Sequence, residues 1–389
     1  MTIRRTGILF IIVIAQFACV SLWFAGNGVM DELIRAFQLP AVSLGHLTSA
    51  VQFGFIAGTL IYAMLAIADR ISPSKVFLVS AILASLSNLM TIVSDGAVPI
   101  LYGSRFLTGF FLAGIYPVGM KIAADYYDKD LGKALGYLLG ALVLGTAFPH
   151  LIKGALSQVS WEYVMMLTSL LAIIGGALVY FLVPDGPFRK SGSGFHPRGL
   201  INNFKVNNFR SVAFGYFGHM WELYAFWAFL PLILRGIFAS DSESMANISK
   251  TSFLIIGIGS IACIIGGYAA QRIGSFKVVK IALVSSGACC LLSPLIFNLQ
   301  PEVVFIFLLF WGMMVIMDSP QFSTLVAQFA PSENKASALT IVNCIGFSIT
   351  IFSIQLLNIL SGHLSYQWLY LFLLPGPVFG LVAMSRMKG

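Results

Sequence analysis

Charged side chains are scarce in this chain of 389 residues, where they make up 10% against 58% for hydrophobic residues. Soluble domains carry about 25% charged residues, so this shortage excludes a water-soluble protein and indicates an integral membrane protein. A bilayer core of about 30 Å takes roughly 20 apolar residues per helix. The hydropathy divides into segments of that length near residues 7 to 27, 46 to 68, 75 to 93, 98 to 124, 134 to 152, 162 to 183, 211 to 234, 251 to 271, 278 to 298, 303 to 329, 335 to 360 and 367 to 385.

Cysteine is sparse too, and every cysteine lies inside a predicted span: Cys19, Cys263, Cys289, Cys290 and Cys344. An odd number of cysteines without loop partners excludes a disulfide framework, and their spacing matches no metal motif. Polar sequence between the spans is too short for a soluble domain. We expect no cofactor.

Acidic residues are fewer than basic ones, 15 against 23, which gives a net charge of +8. With a cytoplasmic N-terminus, the cytoplasmic side carries Arg4, Arg5, Arg70, Lys75, Lys129, Lys133, Arg189, Lys190, Arg198, Lys205, Arg210, Arg272, Lys277, Lys280, Lys335, Arg386 and Lys388. The opposite side carries only Arg35, Arg105, Lys153, Arg235 and Lys250. This asymmetry follows the positive-inside rule and predicts two cytoplasmic termini. The basic charge therefore indicates a lipid bilayer and no nucleic-acid partner, and the short N-terminus and compact loops favour a bacterial inner membrane. We expect a monomer.

The longest polar stretch separates two sets of six predicted helices. It reads VPDGPFRKSGSGFHPRGLINNFKVNNFR, from Val183 to Arg210. We predict an N-terminal bundle over 1–183, a cytoplasmic linker over 184–210 and a C-terminal bundle over 211–389. Repeated halves should match at corresponding positions. The fourth segment (GFFLAGIYP) and the tenth (GMMVIMDSP) share a Gly-x7-Pro frame, and LWFA and FWAF in the first and seventh align Trp23 with Trp227.

A further match lies in the loops after the second and eighth segments, LAIADRISPSK and GYAAQRIGSFK. With its helix count and 6+6 division, the chain resembles the major facilitator superfamily of secondary transporters, whose loop motif is G-x3-D-[RK]-x-G-x-[RK]-[RK]. Asp69 and Arg70 keep the acid and the base, whereas Leu65, Ser72 and Gln271 depart from the motif. The resemblance implies an all-α membrane protein with twelve transmembrane helices in two pseudo-symmetric six-helix bundles, which works by alternating access.

The same resemblance implies a cytoplasmic gate at this loop, with Asp69, Arg70, Asp125 and Arg272 as its residues. Asp69 and Asp125 become Gln271 and Gln328 in the second half, so we expect the gate to be stronger in the N-terminal half. The alternative is that the Asp-Arg pair only solvates a tight turn.

Two ionisable residues lie deep in the seventh segment, FGHMWELYAFW. His219 and Glu222 lie roughly 12 and 16 Å from the start of the helix and share one face. Asp318 lies at a similar depth in the tenth segment, before Ser319 and Pro320. A charge in the hydrocarbon region costs at least about 2.5 to 3.5 kcal/mol, so it faces a cavity or a partner. We predict proton coupling at Glu222, Asp318 and His219; alternatively these residues bind a cation or a metal, or His219 only hydrogen-bonds Glu222 or a carbonyl.

In the family's fold the first, fourth, seventh and tenth helices line the central path. The resemblance therefore implies a substrate-binding set of Gln16, Trp23, Asn27, Arg105, Tyr116, Lys121, Tyr224, Trp227 and Gln321. Other roles remain open: interhelical structure for Arg105, snorkelling for Lys121 and packing for the aromatic residues.

These features predict a secondary active transporter of a small polar or anionic metabolite, coupled to protons. The alternatives are a proton-driven exporter of cationic or amphipathic compounds and a divalent-metal carrier. An intramembrane hydrolase needs a nucleophile or a motif such as H-E-x-x-H, and that spacing does not occur. We therefore predict that the chain is not an enzyme.

Overall fold

The structure is a computed structural model, and it describes residues 5–95, 97–127, 131–156, 159–189, 203–238, 245–330 and 335–387. The described part of the first half contains α1 (Arg5–Val20), α2 (Ala25–Gly28), α3 (Met30–Ala36), α4 (Ser43–Met64), α5 (Ile67–Arg70), α6 (Pro73–Leu89), α7 (Val98–Leu112), α8 (Tyr116–Tyr126), α9 (Leu131–Ala155) and α10 (Trp161–Leu182). The second half contains α11 (Asn207–Ile237), α12 (Met245–Ile273), α13 (Ser275–Ile296), α14 (Pro301–Met317), α15 (Ser319–Phe329), α16 (Lys335–Leu360), α17 (Tyr366–Leu369) and α18 (Pro375–Ser385).

Twelve apolar stretches within these helices account for the predicted spans. Ten are long and apolar enough to cross a bilayer, and two, Gly7–Val20 and Pro73–Leu89, are shorter apolar helices. The prediction of an all-α membrane protein with twelve transmembrane segments is confirmed. The hydrocarbon core explains this architecture, because a helix satisfies its backbone hydrogen bonds within one segment.

The chain divides into two compact units, Met1–Gly194 and Phe195–Gly389. In the first unit α4 packs on α7, α6 on α10, and α1 on α9 and α10. In the second unit α11 packs on α16 and α18, and α12 packs on α14. Residues 190–202 of the predicted linker, including Lys190 and Arg198, lie outside the described residues.

Several of the described membrane segments are broken, including the twelfth, which has no α-helix between Leu369 and Pro375. The first has no regular helix between Val20 and Ala25, the fourth is interrupted between Leu112 and Tyr116, and the tenth is interrupted at Asp318. The second parts of the fourth and tenth segments begin with a proline in their first turn. Proline has no backbone N–H and clashes with the preceding turn, so it starts a new helix instead of continuing the old one.

The repeated glycines bring helices together at equivalent places in the two halves. A Cβ atom on Gly109 of α7 would lie 2.0 Å from the backbone oxygen of Val51 in α4. One on Gly312 of α14 would lie 2.1 Å from the backbone oxygen of Ile255 in α12. Each glycine thus lets the fourth helix of its half approach the backbone of the second helix.

Candidate functional site

His219 and Asp318 form a buried pair in the C-terminal half. Nδ1 of His219, in α11, lies 2.9 Å from Oδ1 of Asp318, and each residue is 1% exposed. Asp318 lies at the break between α14 and α15. The rings of Tyr216 and Phe322 flank the imidazole at 5.9 and 5.7 Å. Nε2 of His219 has no hydrogen-bond partner among the described residues.

Glu222, three residues after His219, has different partners. Its Oε1 accepts hydrogen bonds from the indole N–H of Trp311 at 2.7 Å and from the thiol of Cys290 at 3.5 Å. The Ser286 hydroxyl also hydrogen-bonds this carboxylate. The Trp311 ring packs against Tyr370 with a centroid distance of 5.2 Å. The carboxylate is therefore held by α13 and α14, within the core of the C-terminal half.

His219 and Glu222 thus contact different partners, Asp318 and Trp311. Within the part of the chain that the structure describes, no three His, Cys, Asp or Glu side chains are grouped as metal ligands. This arrangement gives the divalent-metal alternative no support.

Arg105 is held entirely by its own half. Its guanidinium donates to Asn88 Oδ1 at 2.9 Å, to the Trp23 carbonyl at 2.9 Å and to the Leu22 carbonyl at 3.2 Å, and the residue is 1% exposed. The two carbonyls belong to the break between α1 and α2. A break leaves backbone carbonyls short of helical hydrogen bonds, and Arg105 supplies donors to the Trp23 and Leu22 carbonyls there.

Lys121 belongs to a network of charged residues at one end of the N-terminal half. Its ammonium lies 2.8 Å from Asp69 and 3.9 Å from Asp125. A second part of the network comes from the segment after α10, where Arg189 pairs with Asp185. We call these five residues the Asp69 network.

Backbone contacts join the two parts of this network. Arg189 donates to the carbonyls of Asp69 and Ile71 at 3.3 and 3.1 Å. The Ser72 hydroxyl donates to Asp185 at 2.7 Å. Two predicted gate residues, Arg70 and Arg272, are exposed.

The remaining predicted substrate residues of the N-terminal half are buried. Trp23 packs against Phe55 with ring centroids 4.6 Å apart, and the Asn27 amide donates to the Thr48 hydroxyl at 2.8 Å. Tyr116 begins α8. Gln16, in α1, is fully buried.

The corresponding residues of the C-terminal half are also buried. Tyr224 packs between Trp227 and Phe347, with centroid distances of 5.2 Å to each. Gln321 accepts a hydrogen bond from Ser275 at 2.9 Å. The aromatic residues thus make packing contacts within their own half.

Sequence reasoning missed Gln52, because it considered only the first, fourth, seventh and tenth segments. Gln52 lies in α4 and is fully buried, and neither polar atom of its amide has a partner among the described residues. An amide inside the apolar run SAVQFGFIAG was the available signal. Trp311 was missed as well, since its role depends on the distant Glu222.

Comparison with known proteins agrees with this architecture. The sequence profile of the Major Facilitator Superfamily matches residues 10–354. Transporter YgaY, from Escherichia coli strain K12 and from strain O157:H7, is 27% identical over 145 residues, which cover 37% of this chain and 36% of YgaY. The match therefore spans little more than a third of YgaY, which is uncharacterized.

Solved transporters share the fold over the whole chain. The human organic anion transporter MFSD10 (TETRAN) has a TM-score of 0.72 at 14% identity, with 98% of this chain and 100% of that chain covered. An inward-facing bacterial homolog of the human lysosomal transporter Spinster has a TM-score of 0.73 at 14% identity, with 99% and 96% covered. Because the family profile covers most of the sequence, the chain belongs to the Major Facilitator Superfamily, a family of multi-pass membrane transporters, which agrees with the prediction that it is not an enzyme.

Proposed function

We propose that this transporter moves a small polar or anionic metabolite by alternating access and couples its movement to protons at the His219–Asp318 pair. The observation that carries the proposal is the 2.9 Å contact of two almost fully buried ionisable groups at the break of the tenth segment. An ionisable residue within a membrane segment is a functional-site candidate because its burial is costly.

The electrostatics of the pair supply the coupling. With the imidazole protonated and the carboxylate ionised, the pair has no net charge. Loss of that proton leaves one net negative charge inside the membrane, and a central charge costs at least about 2.5 to 3.5 kcal/mol. The two protonation states therefore favour different conformations, and substrate that binds one of those conformations is coupled to the proton.

The break at Asp318 connects the protonation of this pair to a movement of α15. Since α14 ends at Met317 and α15 begins at Ser319, α15 can tilt without opening the hydrogen bonds of α14. A tilt that separates Asp318 from His219 would leave the imidazolium and the carboxylate unpaired. Proton release then accompanies the movement.

Glu222 has a secondary place in this proposal. Its Oε1 is already engaged by Trp311 and Cys290, so a proton would bind the other carboxylate oxygen. Glu222 is therefore the second candidate for proton binding, behind the His219–Asp318 pair.

The Asp69 network is our candidate for the cytoplasmic gate, together with the exposed Arg70 and Arg272. Lys121 joins Asp69 and Asp125 across the end of the N-terminal half, which supports a gating role better than a substrate contact for this lysine. The bacterial YgaY relatives support a location in a bacterial inner membrane.

A ligand screen tests the proposal. Purified wild-type protein, Asp318→Asn and Glu302→Gln are melted at pH 5.5 and 7.5 with organic anions, uncharged polar metabolites, amphipathic cations and divalent metals. Glu302, in the first turn of α14, is the matched acid outside the pair. A ligand at 100 times its Kd stabilises the folded state by about 2.7 kcal/mol.

We expect an anion or an uncharged polar compound to stabilise wild type and Glu302→Gln with the same pH dependence, and Asp318→Asn to lose that dependence. In proteoliposomes, a gradient of that compound should acidify or alkalise the lumen with wild type and not with Asp318→Asn. Stabilisation by cations or metals alone, lost in Asp318→Asn, would instead identify Asp318 as a ligand and contradict the proposal.

A further inference from the structure

Two buried glutamine side chains in the N-terminal half make no hydrogen bond with the described part of the protein. Gln16 in α1 and Gln52 in α4 are both 0% exposed, and none of their four amide atoms has a hydrogen-bond partner among the described residues. A buried polar group left unsatisfied costs about 1–3 kcal/mol. Buried polar groups are nearly always paired, so two complete exceptions indicate missing partners.

The contacts of α4 place Gln52 beside the broken first segment. Thr48, one turn earlier, binds Asn27, and Phe55, one turn later, packs against Trp23. Residues three and four apart share a helix face, so Gln52 lies on the same side as these two contacts. The neighbouring face of α4 packs on α7, where a Cβ on Gly54 would lie 1.9 Å from the Phe106 backbone oxygen.

Gln16 lies in α1, within the first segment itself. A Cβ atom on Gly119 of α8 would lie 2.4 Å from Oε1 of Gln16, so the amide rests over a glycine that leaves room for it. Gln16 therefore belongs to the first segment, where it faces Gly119 of α8, and Gln52 faces the same segment from α4.

The cationic side chains around this region already have partners. Arg105 is bound to Asn88 and to two carbonyls, Lys121 to Asp69, and Lys153 to Glu32 at 2.5 Å. His150 in α9 is 98% buried and has an Nε2 atom without a partner, and a neutral imidazole is one more uncharged hydrogen-bonding group. The buried basic residues described in this half, Arg105 and Lys153, are thus already paired, and Arg70 and Lys75 are exposed.

We propose that Gln16 and Gln52 bind an uncharged hydrogen-bonding group of the substrate, such as a hydroxyl or a carboxamide. A primary amide presents two N–H donors and one carbonyl acceptor, which are complementary to such groups and carry no charge. The inference rests on the proposed transport function and narrows its substrate to uncharged polar solutes.

Pairs of similar compounds, one uncharged and one anionic, test whether the charge of a ligand decides its binding. We would melt purified wild-type protein with nicotinamide against nicotinate, glucose against gluconate, and succinamide against succinate. The variants are Gln16→Met and Gln52→Met, which keep side-chain volume and remove the amide. Gln355→Met is the control, because Gln355 in α16 of the other half interacts within the protein.

The uncharged member of at least one pair should stabilise wild type, while its anion does not. Gln52→Met and Gln16→Met should each raise the Kd of that probe at least tenfold, and Gln355→Met should leave it unchanged. Without ligand, the two test variants should melt no lower than wild type, because they remove an unsatisfied buried group. A structural role for the amides would lower that melting temperature.

The inference would be overturned if wild type bound the anionic member of a pair more tightly than the uncharged member. It would also be overturned if Gln16→Met and Gln52→Met both bound the uncharged member as tightly as wild type does. A third contrary result is that no uncharged probe stabilises wild type at millimolar concentration. Proton movement is read separately in proteoliposomes. Amide-dependent binding without proton flux would contradict the proposed proton coupling and leave this inference intact. Proton flux driven by an anion would support the proton coupling and contradict this inference.

Discussion

Arg105 and Glu222 are charged residues that the protein surrounds with its own hydrogen-bonding groups. Arg105 donates to three acceptors at the break of the first segment, and Glu222 accepts from Trp311 and Cys290. A guanidinium can reach three acceptors because its donors are spread over a plane. These contacts favour a structural role for Arg105 over anion binding.

Arg105→Leu should lower the free energy of unfolding by at least about 3 kcal/mol, since hydrogen bonds to charged groups contribute about 1.5–3 kcal/mol each. Arg105→Lys should lower it by less, because an ammonium keeps the charge but reaches fewer of the acceptors. Reversible unfolding in mixed SDS micelles measures the free energy of unfolding of both variants.

Arg35→Leu, at an exposed arginine of α3, is the control and should change the free energy of unfolding by less than about 0.5 kcal/mol. Unchanged stability of Arg105→Leu together with lost ligand binding would restore the substrate-binding role.

Helix pairs in this fold depend on glycines that face a backbone oxygen. α4 and α7 approach each other through Gly54 and Gly109, whose added Cβ atoms would lie 1.9 and 2.0 Å from carbonyl oxygens. Backbone atoms in a helix cannot give way as a flexible side chain can, so the helices must separate when a methyl group is added. Gly103, also in α7, has no atom within 4 Å of such a Cβ.

Gly109→Ala and Gly103→Ala should therefore have opposite effects. The first should destabilise the protein by about 1–3 kcal/mol through overpacking. The second should stabilise it by about 0.5–1 kcal/mol, because alanine restricts the unfolded chain and favours the helix. Thermal unfolding of both variants in one detergent measures the difference. Equal effects would show that the α4–α7 contact tolerates separation.

The whole molecule repeats one pattern of packing in each half. Gly109 and Gly312 meet the second helix of their half, and the fourth and tenth segments both break before a proline. The orientation of this repeat in the membrane follows from the basic residues, which predict cytoplasmic termini.

Single cysteines test the orientation. His363 follows α16 and Gln271 lies near the end of α12, and both are exposed. In intact cells an impermeant maleimide should label His363→Cys and not Gln271→Cys, and permeabilised cells should label both. The native thiols are all buried and should give little background. Labelling of Gln271→Cys alone in intact cells would contradict the predicted orientation and place both termini outside the cytoplasm.

The sequence determined the class of this protein by itself. Apolar length, the 6+6 division and the repeated loop motif predicted a twelve-helix transporter, because each signal is local in the chain and needs no knowledge of contacts. It also located His219, Glu222 and Asp318, since an ionisable residue stands out within an apolar run.

Only the tertiary structure decided which of these residues meet. The i, i+3 spacing placed His219 and Glu222 on one helix face. In the fold, His219 pairs with Asp318, almost 100 residues away, and Glu222 accepts a hydrogen bond from Trp311. Helical spacing fixes which face a side chain occupies but not which helix lies opposite. For the same reason the sequence alone could not predict that Arg105 binds the carbonyls of a helix break, or that Gln16 and Gln52 have no hydrogen-bond partners among the described residues.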